Sequence, residues 1–281
     1  MYTTLISAEQ LSSLIDSAAE NLLVLDCRFN LMDTALGARL YGNGHIPGAR
    51  YIDLDNDLSS PITPLTGRHP LPDFTALANT LARSGVNPGS QVVVYDDCGG
   101  AMAGRAWWLL RVMGHEAVAV LDGGFPAWSG AGLSATTLVP EPQAGNFSAK
   151  RDQEMIVTLE QLTEVASENT LVDARTPERF RGEQEPIDPV AGHIPGAINR
   201  PLQLNLNVDG CFKSAAQLKQ EWSELLSNTS ADQVIHYCGS GVTACHNYLA
   251  MEIAGLSGSR IYAGSWSEWI RNSQRPVATG N

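Results

Sequence analysis

Val234-Ile235-His236-Tyr237-Cys238-Gly239-Ser240-Gly241-Val242-Thr243-Ala244 runs from a short apolar stretch, through a cysteine and two glycines, into a helix-compatible run from Val242 to Ala254. A strand that ends in a cysteine, turns through glycines and opens a helix sets one thiol at the bottom of a ring of backbone N–H groups. Those unpaired N–H groups and the helix dipole favour an anion there. The thiolate therefore gains over the thiol. Glycines suit such a turn because it needs φ > 0 and close backbone approach. Most free cysteines are inert, packed as small hydrophobes. That description fits Cys27, behind the apolar run Leu22 to Leu25. It fits Cys238 poorly, because glycine and serine follow where a core strand would carry bulk.

The chain repeats itself. Gly44-His45-Ile46-Pro47-Gly48-Ala49 recurs as Gly192-His193-Ile194-Pro195-Gly196-Ala197, and Asp26-Cys27-Arg28 recurs as Asp173-Ala174-Arg175. Gly123-Gly124-Phe125-Pro126-Ala127-Trp128 recurs as Gly264-Ser265-Trp266-Ser267-Glu268-Trp269. A near-constant offset of about half the chain means two copies of one domain, not a short-period solenoid. Leu22-Leu23-Val24-Leu25 and Gln91-Val92-Val93-Val94-Tyr95 have the pattern of buried parallel strands. Phe74 to Ser84 and Leu218 to Leu226 have helical spacing, and Ala106-Trp107-Trp108-Leu109-Leu110 predicts a helix buried all round. Strands alternating with helices predict α/β domains, each a parallel sheet flanked by helices. Gly130 to Gly145 is rich in Gly, Pro, Ser and Thr and predicts a linker. The expected division is a first domain over 1–135, a linker over 136–152 and a second domain over 153–281.

The 281 residues suffice for about two domains of ~100–200 residues. A hydrophobic share of 43% and a charged share of 17% describe an ordinary globular protein. A formal net charge of −12 argues against nucleic acid and anionic membrane as partners, since both need a basic footprint. No apolar run approaches the ~18 residues of a membrane helix, and Met1 to Ser7 carries no basic, apolar signal pattern. Five scattered cysteines without a C-x-x-C pair suggest neither zinc nor a disulfide framework. A reducing cytoplasm is the expected compartment.

The two copies divide their labour. Val92-Val93-Val94-Tyr95-Asp96 is the counterpart of Val234-Ile235-His236-Tyr237-Cys238. A carboxylate cannot act as a sulfur nucleophile, so the second copy is the expected catalytic one and the first, inactive itself, is either structural or helps shape the site.

Two tandem domains, paired Gly-His-Ile-Pro-Gly motifs, an Asp in the first loop and Cys-Gly-Ser-Gly-Val-Thr-Ala in the second resemble the two-domain rhodanese-type sulfurtransferases. The resemblance covers essentially the whole chain. The loop and its extension Ala244-Cys245-His246 are most similar to the 3-mercaptopyruvate sulfurtransferases; thiosulfate-specific members carry two basic residues where this chain has Gly239 and Ser240. The resemblance implies two tandem rhodanese domains with the site between them and a ping-pong reaction in which Cys238 takes a sulfane sulfur and becomes a persulfide. The persulfide then passes its sulfur to cyanide or to a thiol acceptor such as thioredoxin. The donor is a small molecule, with 3-mercaptopyruvate ahead of thiosulfate, and neither a metal nor an organic cofactor is required. A catalytically idle module for binding or sulfur-carrier docking is the alternative of another class. Phosphatases that share the fold need an arginine six residues after the cysteine, and position 244 is Ala.

The resemblance also assigns supporting residues. Arg179 matches the arginine that grips the donor's anionic end, a task its planar fork suits. Gly239, Gly241, Val242 and Thr243 complete the donor-binding loop. Ser240 is placed to hand a proton toward the leaving enolate. Asp55 and His69 match first-domain positions that mercaptopyruvate enzymes bring to the site; each is otherwise an ordinary polar loop residue. Thr243 has two roles open, a hydroxyl donated to the persulfide or a helix cap. There is one departure: mercaptopyruvate enzymes carry a second arginine after a Glu-Pro, whereas Glu185-Pro186 is followed here by Ile187. Either the clamp is single or Arg200 replaces the missing group. His45, His193 and Arg175 recur as a set with the inactive copy and read as structural. Cys245 is expected inside the helix, and Cys98 in the inactive loop is either a second redox thiol or inert.

Overall fold

The computed structural model describes residues 1–19, 21–141, 144–150 and 152–281. The chain divides into two compact units. The first comprises Met1–Ser60, Pro72–Asp152 and Val208–Phe212; the second comprises Pro61–Leu71, Gln153–Asn207 and Lys213–Asn281. The segment Pro61–Leu71, which precedes most of the first domain's helices in sequence, therefore belongs to the second unit.

The first unit is a parallel sheet of β1 (Leu5–Ile6), β2 (Leu22–Asp26), β3 (Arg50–Tyr51), β4 (Gln91–Tyr95) and β5 (Val118–Leu121), in the order β1-β5-β4-β2-β3. Its helices are α1 (Ala8–Asp16), α2 (Leu36–Asn43), α3 (Phe74–Arg83), α4 (Ala103–Val112) and α5 (Gly124–Gly130). The second unit repeats the plan with β6 (Ile156–Val157), β7 (Thr170–Asp173), β8 (Ile198–Asn199), β9 (Val234–Tyr237) and β10 (Arg260–Tyr262), in the order β6-β10-β9-β7-β8. Its helices are α6 (Leu159–Val165), α7 (Pro177–Arg181), α8 (Ala215–Leu226), α9 (Ala244–Ile253) and α10 (Ser265–Trp269). Every strand pair in both sheets is parallel.

The central strands are apolar runs because helices cover both faces. In β4, Val92 to Tyr95 are all buried, and in β9 all four residues are. Every residue of α4 except Arg111 is buried, which accounts for its apolar character all round. Helix α8 begins three residues before the hydrophobic spacing indicates. Ser214 accepts the Gln217 N–H while the Gln217 side chain accepts the Ser214 N–H, a capping box that starts the helix at Ala215.

The duplicated motifs do duplicated structural work. Arg28 lies in a buried ion pair with Asp26, donates to the Gly44 carbonyl at 2.8 Å and stacks its guanidinium 4.5 Å from the Phe125 ring. Arg175 does the same with Asp173, the Gly192 carbonyl at 2.7 Å and the Trp266 ring at 5.0 Å. His45 exchanges backbone bonds with Thr136 and stacks on Tyr41; His193 exchanges them with Ala278 and stacks on Phe180. The two histidines therefore pin the segment that follows the last helix of their unit.

Within the expected linker 136–152, Pro142, Gln143 and Arg151 lie outside the described residues. The others are docked on the first unit: the N–H groups of Gly145, Phe147 and Lys150 donate to the carbonyls of Ala82, Val86 and Met113. Phe147 is buried there, so this polar stretch has found backbone partners that its composition does not reveal.

Candidate functional site

Cys238 is the first residue past β9 and is buried. Its loop is fastened on two sides. The Cys238 N–H donates to Ser265 Oγ at 3.1 Å, and the Cys238 and Gly239 carbonyls accept the N–H groups of Trp266 and Ser267 at 2.9 Å. Gly241 has φ +79° and would place a Cβ 2.1 Å from the Ala263 carbonyl oxygen, so only glycine fits. From that position its N–H donates to Cys238 Sγ at 3.2 Å. Cys245, buried in the first turn of α9, directs its thiol to the Gly241 carbonyl at 3.4 Å and supports the loop from behind.

The equivalent loop of the first unit shows what such a turn binds. Asp96 is fully buried. Its Oδ1 accepts the N–H groups of Cys98 (3.0 Å) and Gly100 (2.9 Å), and its Oδ2 those of Met102 (2.7 Å) and Ala103 (2.9 Å). The strand–loop–helix turn is thus an anion cradle, and the first unit fills its own cradle with a carboxylate. Cys98 stands at the loop surface, where desolvation and the Asp96 and Asp97 carboxylates push its thiol up. That environment makes it a poor nucleophile and favours the inert alternative.

Ser240 and His69 are both buried, and Ser240 Oγ lies 2.7 Å from His69 Nδ1. His69 reaches the loop on the Pro61–Leu71 segment, which packs within the second unit. Gly239 faces two guanidinium groups. A Cβ at that position would stand 2.9 Å from Arg68 Nη2 and 3.4 Å from Arg179 Nη2. Arg179 is gripped by Glu185 through three bonds of 2.7–3.1 Å and by Asp188 at 3.1 Å. Asp188 also pairs with Arg68, and Glu185 with Arg175. Burial pushes the Asp188 carboxyl up, whereas hydrogen bonds from Arg179 and from backbone N–H groups hold that of Glu185 down against its own burial.

The second unit thus gathers Cys238, Gly239, Ser240, Gly241, Val242, Thr243, His69 and Arg179. Thr243 precedes α9, but its side chain makes no capping bond, so that role does not hold. Asp55 lies in the first unit, in the Asp53–Asp57 turn, where its N–H donates to Asp53 Oδ1 and burial followed by the Asp53 charge pushes its carboxyl up. Arg200 does not replace the arginine missing at Ile187. It is buried against Trp222, donating to Asn205 at 3.2 Å and Glu221 at 2.9 Å. Arg68, Glu185 and Asp188 were not singled out in the sequence as site residues. The one available signal is that Arg68 adjoins His69.

The rhodanese-like domain family matches residues 7–131 and again 158–272. The chain belongs to the rhodanese family. It is 49% identical over 281 residues to a Pseudomonas aeruginosa protein named "Probable 3-mercaptopyruvate sulfurtransferase", covering 99% of this chain and 98% of that one. A Mycobacterium tuberculosis relative that carries a thiosulfate sulfurtransferase name is 42% identical, over 98% of this chain and 97% of its own. The crystal structure of a 3-mercaptopyruvate sulfotransferase from Escherichia coli superposes with a TM-score of 0.79 at 31% identity, covering 95% of this chain and all of that one. Among the described residues, no helix of this rhodanese is long and apolar enough to cross a membrane.

Proposed function

We propose that this sulfurtransferase takes its sulfur from 3-mercaptopyruvate, carries it as a persulfide on Cys238 and passes it to a thiol or to cyanide. The Cys238 thiolate attacks the donor sulfur, and the S–C bond breaks. The electron pair of that bond leaves on the methylene carbon as the pyruvate enolate. The enolate takes a proton to give pyruvate, and Cys238 is left as the persulfide.

The observation that carries the donor assignment is the buried Ser240–His69 pair beside the thiol. A leaving enolate needs a proton; a leaving sulfite does not. A hydroxyl bonded to an imidazole supplies such a proton near neutral pH. Arg179 holds the donor carboxylate, and Gly239 and Ser240 carry no charge of their own.

Asp96 supports the persulfide step by internal analogy. The outer sulfur of a persulfide stands two bonds beyond Cβ, as the carboxylate oxygens of Asp96 do. The equivalent N–H groups in the second unit are those of Ser240, Val242 and Ala244, whereas the Cys245 N–H donates to the Val242 carbonyl at 3.2 Å. The first unit's equivalent turn is filled by the Asp96 carboxylate, so the persulfide is carried on the second unit. Five unpaired cysteines suit a reducing cytoplasm, where a small thiol protein of the thioredoxin class is a fitting acceptor.

Thiosulfate is the second possible donor, favoured by the two guanidinium groups that face Gly239. Their charges are countered by Asp188 and Glu185, which suits a monoanion better than a compact dianion. Steady-state kcat/KM for both donors, with cyanide as acceptor, decides the matter. A higher value for mercaptopyruvate is expected; a higher value for thiosulfate overturns the donor, and turnover of neither points to a binding module.

A further inference from the structure

We infer that Arg68 is the second guanidinium for the donor's anionic end, delivered to Gly239 by the Pro61–Leu71 segment in place of the arginine absent at Ile187. The inference rests on the sulfurtransferase reading of the Cys238 site and adds a binding residue to it.

Three observations converge on Arg68. Its Nη2 is the atom nearest to where a Cβ of residue 239 would lie, nearer than either terminal nitrogen of Arg179. Gly239 directly follows Cys238, so the empty side-chain position of the loop is occupied by guanidinium. Second, Arg68 is held in place: its N–H donates to Ser267 Oγ at 3.0 Å, and its Nη1 pairs with Asp188, which also accepts from Arg179. Asp188 therefore sets the two guanidinium groups side by side, an arrangement for a planar carboxylate. Third, Arg68 retains 22% side-chain exposure while Asp188 is buried, so the open edge of the pair belongs to the cation.

Arg200 was the other candidate for this place, and its guanidinium is spent on Asn205, Glu221 and the Trp222 ring. Ile187 is exposed and supplies only an N–H, donated to Glu185. A cation from elsewhere in the chain thus fills the role that its own loop position lacks.

The test compares 3-mercaptopyruvate with mercaptoacetone, which keeps the thiol and ketone but has no carboxylate. Arg68→Ala is expected to lower kcat/KM for mercaptopyruvate about tenfold to hundredfold, mostly through KM, as for loss of a charged hydrogen bond. The ratio of the two donors' kcat/KM is expected to fall by at least tenfold. Arg68→Lys keeps the charge without the fork and is expected to fall between wild type and Arg68→Ala. An equal loss for both donors in Arg68→Ala and Arg68→Lys means that Arg68 only anchors the segment, and overturns the inference. If the wild type uses thiosulfate instead, the donor assignment alone has failed. Arg68→Ala is then read on thiosulfate, where a change below twofold overturns the inference and a tenfold loss supports it.

Discussion

Ser240 Oγ and His69 Nδ1 stand 2.7 Å apart, both buried, and they join the cysteine loop to a segment that lies 171 residues earlier in the chain. A hydroxyl in this setting is useful only while the imidazole holds its orientation. In the proposed mechanism Ser240→Ala removes the proton path to the leaving carbon, and His69→Phe removes its partner. Each is expected to lower kcat with mercaptopyruvate by about a hundredfold, the usual scale of general acid–base assistance. The double variant is expected to be no worse than the worse single one, because the two residues act as a unit. Additive losses in steady-state kinetics would show that they act separately.

Cys238→Ser is expected to abolish persulfide formation and turnover, since the oxygen cannot carry sulfane sulfur. Cys98→Ser is expected to stay within about twofold of wild type, its thiol being held up by desolvation and two acidic neighbours. Cys245→Ser keeps a donor toward the Gly241 carbonyl and is expected to retain most activity. Mass spectrometry of the donor-treated variants reads the outcome directly as a gain of one sulfur atom. A sulfur adduct on Cys238→Ser at wild-type yield would remove the nucleophile from position 238.

The central strands and the repeat were legible in the sequence because buried parallel strands carry a strong local signal. β4 occupies the apolar run Gln91–Tyr95 residue for residue, and β9 occupies Val234–Tyr237. Glycine spacing likewise marks the cysteine loop, since Gly241 sits at φ +79° against the Ala263 carbonyl. What was not legible depends on non-local packing. The placement of Pro61–Leu71 in the second unit has no local signature, and Arg68 came to the site with it. Glu185 and Asp188 are acidic loop residues whose role appears only once Arg179 and Arg68 are placed between them. Of the two roles open to Thr243 by residue type, the cap is excluded because its side chain makes no such bond.

Asp96 stands in the first unit where the second carries Cys238. Its carboxylate satisfies four backbone N–H groups in a fully buried turn. Asp96→Ala leaves those donors without their acceptor and is expected to destabilise the fold by roughly 3 kcal/mol or more. Asp96→Asn retains one acceptor oxygen and is expected to lose less. Urea unfolding midpoints would measure both. A loss below about 1 kcal/mol in Asp96→Ala would mean that water replaces the carboxylate at little cost.

His236 predicts a pH dependence that is independent of catalysis. It lies in the middle of β9, two residues before Cys238, at the position held by Val94 in the first unit. Its ring is fully buried, edge-on to Trp222 at 5.6 Å and Tyr248 at 6.3 Å, and among the described residues neither nitrogen has a hydrogen-bond partner. Burial alone pushes its pKa from 6.5 down to about 3. The unfolded chain therefore binds this proton first as the pH falls. The stability that follows is fully present above pH 6.5 and is lost as the pH drops toward the folded value, at up to about 1.4 kcal/mol per unit. Between pH 6.5 and pH 5 the loss attributable to this ring is roughly 2 kcal/mol. His236→Phe keeps the aromatic contacts and removes the titrating group, so its stability is expected to fall less steeply over that interval. Urea unfolding of the wild type and the variant at pH 7 and pH 5 isolates the difference, because the other titrating groups are common to both. Identical pH slopes would show that the buried ring finds a proton acceptor in the folded protein.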